Sequence, residues 1–207
     1  MINIIRRTTM LVLLVLSFIV ANAQKTYQLD IKKSKLFWKG TKTVGTKHFG
    51  FLLFNSGWIR TNAAGLLNDG MFSMNMTSIT STEHEKPADN QKINKELSSS
   101  SFFETSTYPA ATIAVSSIMP TTVPTQFKVE GNLTIKKTTH PITFLATIKQ
   151  NATGLTANAS LTIDRVKWGI HETSQVSVTD QFFSNIKDKM IADEIPISLT
   201  LVFTKGK

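Results

Sequence analysis

The chain has 207 residues, with 23 Lys and Arg against 14 Asp and Glu, which gives a formal net charge of +9. It contains no Cys, and this excludes a disulfide framework and thiol chemistry. The basic balance is compatible with anionic lipid head groups or a membrane surface, whereas the lack of a dense Lys/Arg run argues against nucleic acid as a partner.

The first 23 residues have the organisation of a secretory signal peptide. Arg6 and Arg7 form a positive n-region, residues 10–20 form an apolar h-region, and Ala21-Asn22-Ala23 fits the small-x-small cleavage rule. The apolar stretch is well short of the roughly 20 residues that a membrane-spanning helix needs. We therefore expect cleavage after Ala23, an exported protein and a single domain over residues 24–207.

Period-two alternation of apolar and polar residues predicts strands along the remaining chain. The first strands are expected at residues 27–31, 36–38, 48–59 and 70–79. Residues 40–47 have the composition of a polar loop. A turn at Asn55-Ser56-Gly57 is expected to divide residues 48–59 into two short strands.

Residues 127–148 carry the clearest alternation. The apolar set Phe127, Val129 and Leu133 resumes at Ile142 after a short polar connection over residues 136–139. This pattern predicts an antiparallel hairpin. Pro141, which has no amide hydrogen, is expected at the first residue of the returning strand.

The alternation is interrupted once, between residues 83 and 108. Pro87 followed by helix-forming residues predicts a short helix over residues 88–97, with Ile93 and Leu97 on one face. This crossover is expected to lie across one end of the sheet structure. Strands resume at residues 111–118, 155–165 and 195–203, and residues 166–189 are irregular.

Eight or so antiparallel strands, few helices and regular turns predict an all-β sandwich or closed barrel. Long alternating strands in meander order favour closure, because closure removes edges that are prone to aggregation. An eight-stranded barrel is wide enough to hold one small or elongated ligand.

The residue types that carry chemistry do not form a recognisable constellation. The four histidines, His48, His84, His140 and His171, lack the spacing of metal ligands, and His84 and His140 are expected to be exposed to solvent. No nucleophile elbow and no phosphate-binding glycine loop occur. The sequence therefore shows no catalytic constellation, and we expect no catalytic residues, metal or cofactor, although a metal site assembled only in three dimensions stays open.

The chain is rich in bulky apolar residues, with 13 Phe, 7 Met and 3 Trp against 2 Tyr. Phe and Met provide an adaptable apolar wall without hydrogen-bonding demands, which suits an acyl or isoprenoid chain. The same residues could simply fill an ordinary barrel core, and composition alone favours that interpretation.

Several short motifs occur in a characteristic order. They are Ser34-x-x-x-Trp38, Gly50-Phe51, Met76-Thr77-Ser78-Ile79, Phe102-Phe103 with Tyr108-Pro109, Gly131-Asn132-Leu133-Thr134-Ile135, His140-Pro141-Ile142 and Asp164-Arg165-x-x-Trp168-Gly169-Ile170. In this order, over about residues 27–203, the chain resembles the YceI-like family of polyisoprenoid-binding, lipocalin-like proteins. The resemblance implies an extended eight-stranded antiparallel lipocalin-like β-barrel with one or two short helices at its mouth.

The resemblance also implies a non-enzymatic protein of the periplasm or the exterior, whose hydrophobic tunnel holds a polyisoprenoid, an isoprenoid quinone or a fatty-acid derivative. The predicted tunnel wall comprises Trp38, Phe49, Phe51, Met74, Met76, Phe102, Phe103, Leu133, Phe144, Trp168 and Ile170. Arg165 is either a cation at the mouth or a structural partner of Asp164 or Asp180. Transient membrane contact and a homodimer are compatible with the sequence.

Two other functions stay open. A barrel filled by its own side chains would be an exported interaction or structural module; an exposed patch around Phe182-Phe183 would favour it, and a continuous cavity would count against it. A hydrolase or redox enzyme acting on a bound isoprenoid would require His and acidic side chains that converge at the cavity. The sequence does not show such a spacing.

Overall fold

The computed structural model describes residues 24–41, 47–171 and 192–206. The strands are β1 (Thr26–Leu29), β2 (Lys35–Thr41), β3 (Lys47–Thr61), β4 (Leu67–Ser81), β5 (Ala110–Pro120), β6 (Gln126–Ile135), β7 (Thr138–Gln150), β8 (Gly154–Asp164) and β9 (Glu194–Lys205). Helix α1 spans Pro87–Ser98, and a 3-10 turn spans Arg165–Trp168. The predicted signal peptide, most of the predicted 40–47 loop, Asp180 and Phe182-Phe183 lie outside the described residues.

The strands close into a barrel with eight strand positions. Strands β3 to β9 are neighbours in chain order, and both β1 and β2 pair with β3 on one side and β9 on the other. All pairings are antiparallel, so β1 and β2 run in the same direction and share one position. The predicted all-β, eight-stranded antiparallel barrel is confirmed, because the meander closes through this shared position.

Ser34, which lies between β1 and β2, attaches their connecting segment to β9. Residues 30–34 lie opposite only residues 201–202, because Leu29 pairs with Phe203 and Lys35 pairs with Thr200. The Val202 amide donates to the hydroxyl oxygen of Ser34 at 3.0 Å, and Ser34 is fully buried. Since a backbone donor that is shielded from water needs a partner, the Ser34 side chain replaces a ladder hydrogen bond here.

Strand β3 is one strand of 15 residues, so the prediction of two short strands is wrong. The expected turn at Asn55-Ser56-Gly57 is a shift of register in the β3–β4 ladder. A Cβ at Gly57 would lie 2.7 Å from the ring of Phe72 and 2.9 Å from Leu29. The composition typical of a turn therefore reflects a bulge and close packing inside a strand.

The predicted β6–β7 hairpin is present, with a tighter turn than expected. Ile135 pairs with Thr138, so Lys136 and Lys137 alone form the turn. Pro141 lies inside β7, opposite Asn132, rather than at the first residue. This part of β7 pairs with β6 only, because the β7–β8 ladder begins at Leu145. A missing donor is tolerated at such a local edge.

Helix α1 covers the predicted 88–97 segment and extends it by one residue at each end. No residue of the helix is buried, and polar side chains attach it to the end of β4. Asn94 accepts a hydrogen bond from the Ser81 amide at 2.7 Å, while Asn90 accepts from the His84 amide and donates to the His84 carbonyl. As the one α-helix in the described residues, α1 is too short and too polar to cross a bilayer.

The barrel interior has two levels, which we call the upper half, next to α1, and the lower half, farther from it. In the lower half the rings of Phe54, Phe72 and Phe203 meet edge to face, with centroid distances of 6.4 Å and 6.0 Å. Such contacts are the preferred geometry for aromatic pairs. Only about 40 Å³ of space is left among the lower side chains.

Candidate functional site

The upper half of the barrel contains a cavity of about 360 Å³, which lies within the range of small-molecule sites. Strands β8 and β9 contribute aliphatic lining through Leu161, Ile163, Ile195, Ile197 and Leu199. The last three alternate along β9, as period-two geometry requires. Their four residue steps span about 13 Å at roughly 3.3 Å per residue. Ile93 and Leu97 of α1, predicted to share a face, border the same space.

Seven of the eleven residues predicted for the wall line this cavity. They are Trp38, Met74, Met76, Phe102, Phe103, Leu133 and Ile170. Strands β2, β4 and β6 bring four of them together, and the segments that follow α1 and the 3-10 turn supply the other three. The wall is therefore assembled from parts of the chain that are far apart in sequence.

Phe49 and Phe51 lie on the outer face of the barrel, so their expected place in the wall is corrected. Gly50, Leu52 and Phe54 are the buried residues of this part of β3, and alternation turns the residues between them outward. The sequence could not decide, because residues of both faces are apolar here. Phe49 is 45% exposed, and the Lys35 ammonium lies 5.0 Å from the centre of the Phe51 ring.

These two rings belong to an outer aromatic patch, which we define as Phe37, Phe49 and Phe51. Phe37 is 44% exposed and lies directly opposite Phe51 in the β2–β3 ladder, while Phe49 lies opposite Lys39. The patch is thus continuous across two strands. Lysines occupy exposed positions around it, at residues 35, 39 and 47.

Phe144 and Trp168 also lie away from the upper cavity. Phe144 borders the small space of the lower half. Trp168 is buried, its indole N–H donates to the Leu133 carbonyl at 3.1 Å, and its ring meets His140 at a centroid distance of 5.2 Å. His140 is half-buried, with Nε2 2.9 Å from the Lys167 carbonyl oxygen, rather than exposed as predicted. The 3-10 turn therefore packs beside the local edge of β7.

The polar side chains that line the cavity lie at its α1 end. They are Thr41 at the end of β2, His48 near the start of β3, Glu96 on α1 and Arg165 just after β8. The cavity in the described part of the chain is therefore amphipathic. It has a polar end beneath the helix and an apolar remainder that points toward the lower half.

Arg165 joins two segments at the polar end. It is 2% exposed, and it donates to the Ile170 carbonyl at 2.8 Å and the Ala192 carbonyl at 3.3 Å. Its guanidinium also forms an ion pair with Asp193 at 3.1 Å. The expected partner Asp164 instead accepts a hydrogen bond from the Val166 amide. Arg165 thus connects the 3-10 turn to the residues that precede β9 while it borders the cavity.

A group of three titratable side chains, not foreseen from the sequence, lies near the same end. His48 Nδ1 is 2.7 Å from Glu83 Oε1, and His84 Nε2 is 3.0 Å from the same oxygen. The Glu83 side chain is 5% exposed, whereas that of His84 is 48% exposed, as expected. The β3–β4 pairing brings His48 and Glu83 together across 35 residues of sequence. No His, Asp and Glu side chains of the described residues form a metal-binding group.

Comparison with known proteins agrees with this architecture. The BcnA protein of Burkholderia cenocepacia has 23% sequence identity, covers 84% of this chain and 98% of its own, and gives a TM-score of 0.63. A polyisoprenoid binding domain from Saccharophagus degradans, implicated in plant cell wall breakdown, has 15% identity, covers 87% of this chain and 98% of its own, and gives a TM-score of 0.62. At these identities the likeness shows a shared fold.

No protein of curated function matches the chain. The sequence itself matches the profile of the YceI-like domain over residues 27–203. This match runs from β1 to β9 and includes every strand that builds the cavity. The chain therefore belongs to the YceI-like family.

Proposed function

We propose that this protein is a carrier that binds, sequesters or transports one long-chain amphiphile in the upper half of its barrel. The observation that carries the proposal is the amphipathic cavity, with its polar end beneath α1. Burial of each methylene group contributes about 0.8 kcal/mol, so a long tail binds tightly without specific polar contacts. The Saccharophagus degradans domain of the same fold is described as polyisoprenoid binding, which supports an isoprenoid or fatty tail.

The position of the polar residues favours one orientation of the ligand. Its head is expected at the α1 end, near Thr41 and Arg165, and its tail is expected to point toward the lower half. Ile113 and Leu199 border both the cavity and the small lower space, so the two regions meet there. A tail longer than the upper cavity must displace packed side chains at this level.

The protein is proposed to work in the periplasm or as a secreted protein, and to meet its ligand at a membrane surface. The pattern of residues 1–23 supports export.

The outer aromatic patch supports membrane contact, because exposed rings flanked by lysines suit an anionic lipid interface. A Phe37→Ser, Phe49→Ser double variant is expected to sediment less with anionic vesicles and to keep its cavity binding. Equal sedimentation would argue against the patch. The homodimer stays a prediction.

The cavity counts against the alternative of a barrel filled by its own side chains, since only the lower half is filled.

The alternative of an enzyme has one supporting observation, the contact between His48 and Glu83 near the cavity. Under the carrier proposal, His48 is a polar residue of the rim. Incubation of a bound isoprenoid with the protein should therefore return the isoprenoid chemically unchanged, and a modified product would favour the enzyme.

The proposal is tested by native mass spectrometry of the purified protein, followed by organic extraction and lipid analysis. A bound long-chain species is the expected result, and its release should lower the melting temperature. After lipid removal, the protein should take up isoprenoids or fatty amphiphiles again. An unliganded mass, with no uptake and no change in melting temperature, would refute the carrier.

A further inference from the structure

The three tryptophans of the chain differ in what surrounds their indole nitrogens. The Trp168 N–H donates to the Leu133 carbonyl. Trp58 lies half-exposed on β3 and stacks with the Arg60 guanidinium at 4.5 Å. Trp38 Nε1 is buried without a hydrogen-bond partner, and it is the one buried side-chain nitrogen or oxygen in this situation among the described residues.

Trp38 lies in the cavity wall between two ladder neighbours whose side chains offer it no acceptor. Its ladder neighbours are Gly50 on β3 and Ile197 on β9. Trp38 lies three residue steps before Thr41, the last residue of β2, which is about 10 Å along the strand. Along β2, Trp38 therefore lies between the polar end of the cavity and its aliphatic depth.

Buried polar atoms in native proteins nearly always have a partner, because an unsatisfied donor loses its hydration without compensation. An indole N–H in the wall of a ligand cavity can gain that partner from the ligand. We infer that Trp38 forms a hydrogen-bonding subsite for an acceptor oxygen at the head of the bound amphiphile. This inference rests on the proposed carrier function and specifies its ligand class.

The subsite selects long-chain molecules with a carbonyl, carboxyl or hydroxyl oxygen over pure hydrocarbons of the same length. A hydrocarbon fills the apolar volume equally well but leaves the Trp38 N–H unsatisfied. Selection of this kind is strong when the site, rather than the ligand, contains the buried polar group. Arg165, a charged donor at the polar end of the cavity, already has two carbonyls and Asp193 as partners.

The test compares 2-heptadecanone with heptadecane, two probes of equal length that differ in one acceptor oxygen. Both are delivered from cyclodextrin to the lipid-free full chain, and each affinity is obtained by displacement of a fluorescent fatty acid. The wild-type protein is expected to prefer the ketone about tenfold, the effect of one hydrogen bond to a buried donor. Trp38→Phe keeps most of the ring and removes the N–H, so it should abolish this preference by weakening the ketone alone. Trp58→Phe, on the outer face, should keep it.

Nuclear magnetic resonance of the indole groups gives a second readout that does not need the variant to fold. In the wild-type protein, the ketone should shift one indole N–H resonance downfield, and heptadecane should not. Binding of both probes with equal affinity, and without a selective indole shift, would overturn the subsite while the carrier function stands. If neither probe, nor any isoprenoid or fatty acid, binds the wild-type protein, the carrier function and the subsite both fail.

Discussion

The upper and lower halves of the barrel are built by the same strands with the same alternation, yet one is hollow and the other is packed. Along β9, Ile197 and Leu199 border the cavity, whereas Leu201 and Phe203 lie among the rings of the lower half. Phenylalanines of β3, β4 and β9 fill the lower level, and the phenylalanines that line the cavity come from the segment after α1. Alternation therefore decides which residues point inward, and side-chain size at each level decides whether a space remains.

The difference in packing between the upper and lower halves is tested most strongly by truncation of one leucine side chain to alanine in each half. Leu201→Ala, in the lower half, is expected to reduce the free energy of unfolding by about 2–5 kcal/mol, the usual effect of a new cavity in a packed core. Leu36→Ala, in the upper half, should have an effect at or below about 2 kcal/mol, because its side chain already borders an open space. Both leucines are similarly buried, at 7% and 5% exposure. Urea denaturation measures the difference, and equal losses would mean that the two halves are packed alike.

The reverse experiment enlarges one buried alanine at each level. Ala157→Leu should overpack the lower half and reduce the free energy of unfolding by about 1–3 kcal/mol, with little effect on ligand binding. Ala111→Leu should project into the upper cavity, preserve stability and weaken binding of a long-chain amphiphile about tenfold. Thermal denaturation and lipid displacement provide the two readouts. A loss of stability in Ala111→Leu as large as in Ala157→Leu would contradict an open upper half.

The attachment of α1 gives a smaller and local effect. Asn94→Ala removes the acceptor for the buried Ser81 amide, which should reduce the free energy of unfolding by about 1–2 kcal/mol. The dissociation rate of a bound amphiphile should rise several-fold, because the helix covers the polar end of the cavity. Lys92→Ala is the matched control, since Lys92 pairs only with the exposed Asp89 on the same helix. Hydrogen exchange should accelerate in α1 and at the end of β4, and acceleration throughout the lower half would contradict a local role.

The smallest expected effect is the change in binding affinity as the ligand tail is lengthened from the upper half toward the lower half. In a series of saturated fatty acids, each added methylene should strengthen binding by about 0.8 kcal/mol while the tail occupies the upper cavity. The gain should stop once the tail reaches the level of Ile113 and Leu199, where packed side chains begin. Isothermal titration calorimetry measures the series. A constant gain through the longest tails would show that the lower half opens as readily as the upper half.

Much of the fold could be predicted from the sequence, because alternation, turn residues and helix formers are local signals. The hairpin at Lys136-Lys137, helix α1 and the closed meander are of this kind. Local signals failed for residues 49–54, where both faces of β3 are apolar and neither face is marked as the inner one. They also failed at Asn55-Ser56-Gly57, whose turn-like composition comes from a bulge.

The site could be predicted only in part, because its remaining features depend on distant residues. The contact of His48 with Glu83 and that of Trp168 with Leu133 each join residues 35 positions apart. The size of the cavity depends on the combined volume of side chains that several strands place at the same height in the barrel. It therefore cannot be predicted from any single segment of the sequence. The lack of a hydrogen-bond partner for the Trp38 N–H also could not be predicted from the sequence, because it depends on which side chains lie next to Trp38 in the folded barrel.

The shared position of β1 and β2 has a consequence for the order in which the barrel forms. Ser34 and Val202, which meet across the closing seam, are separated by 168 residues, whereas four of the six connections between β3 and β9 have five residues or fewer. Contacts between residues so far apart carry a large loop-closure entropy and slow the folding of β-rich proteins to milliseconds or seconds. We therefore expect the meander to assemble first as an open, curved sheet. The pairing of β1 and β2 with β9 can form only after β9 has been synthesised, so closure of the barrel follows assembly of the meander.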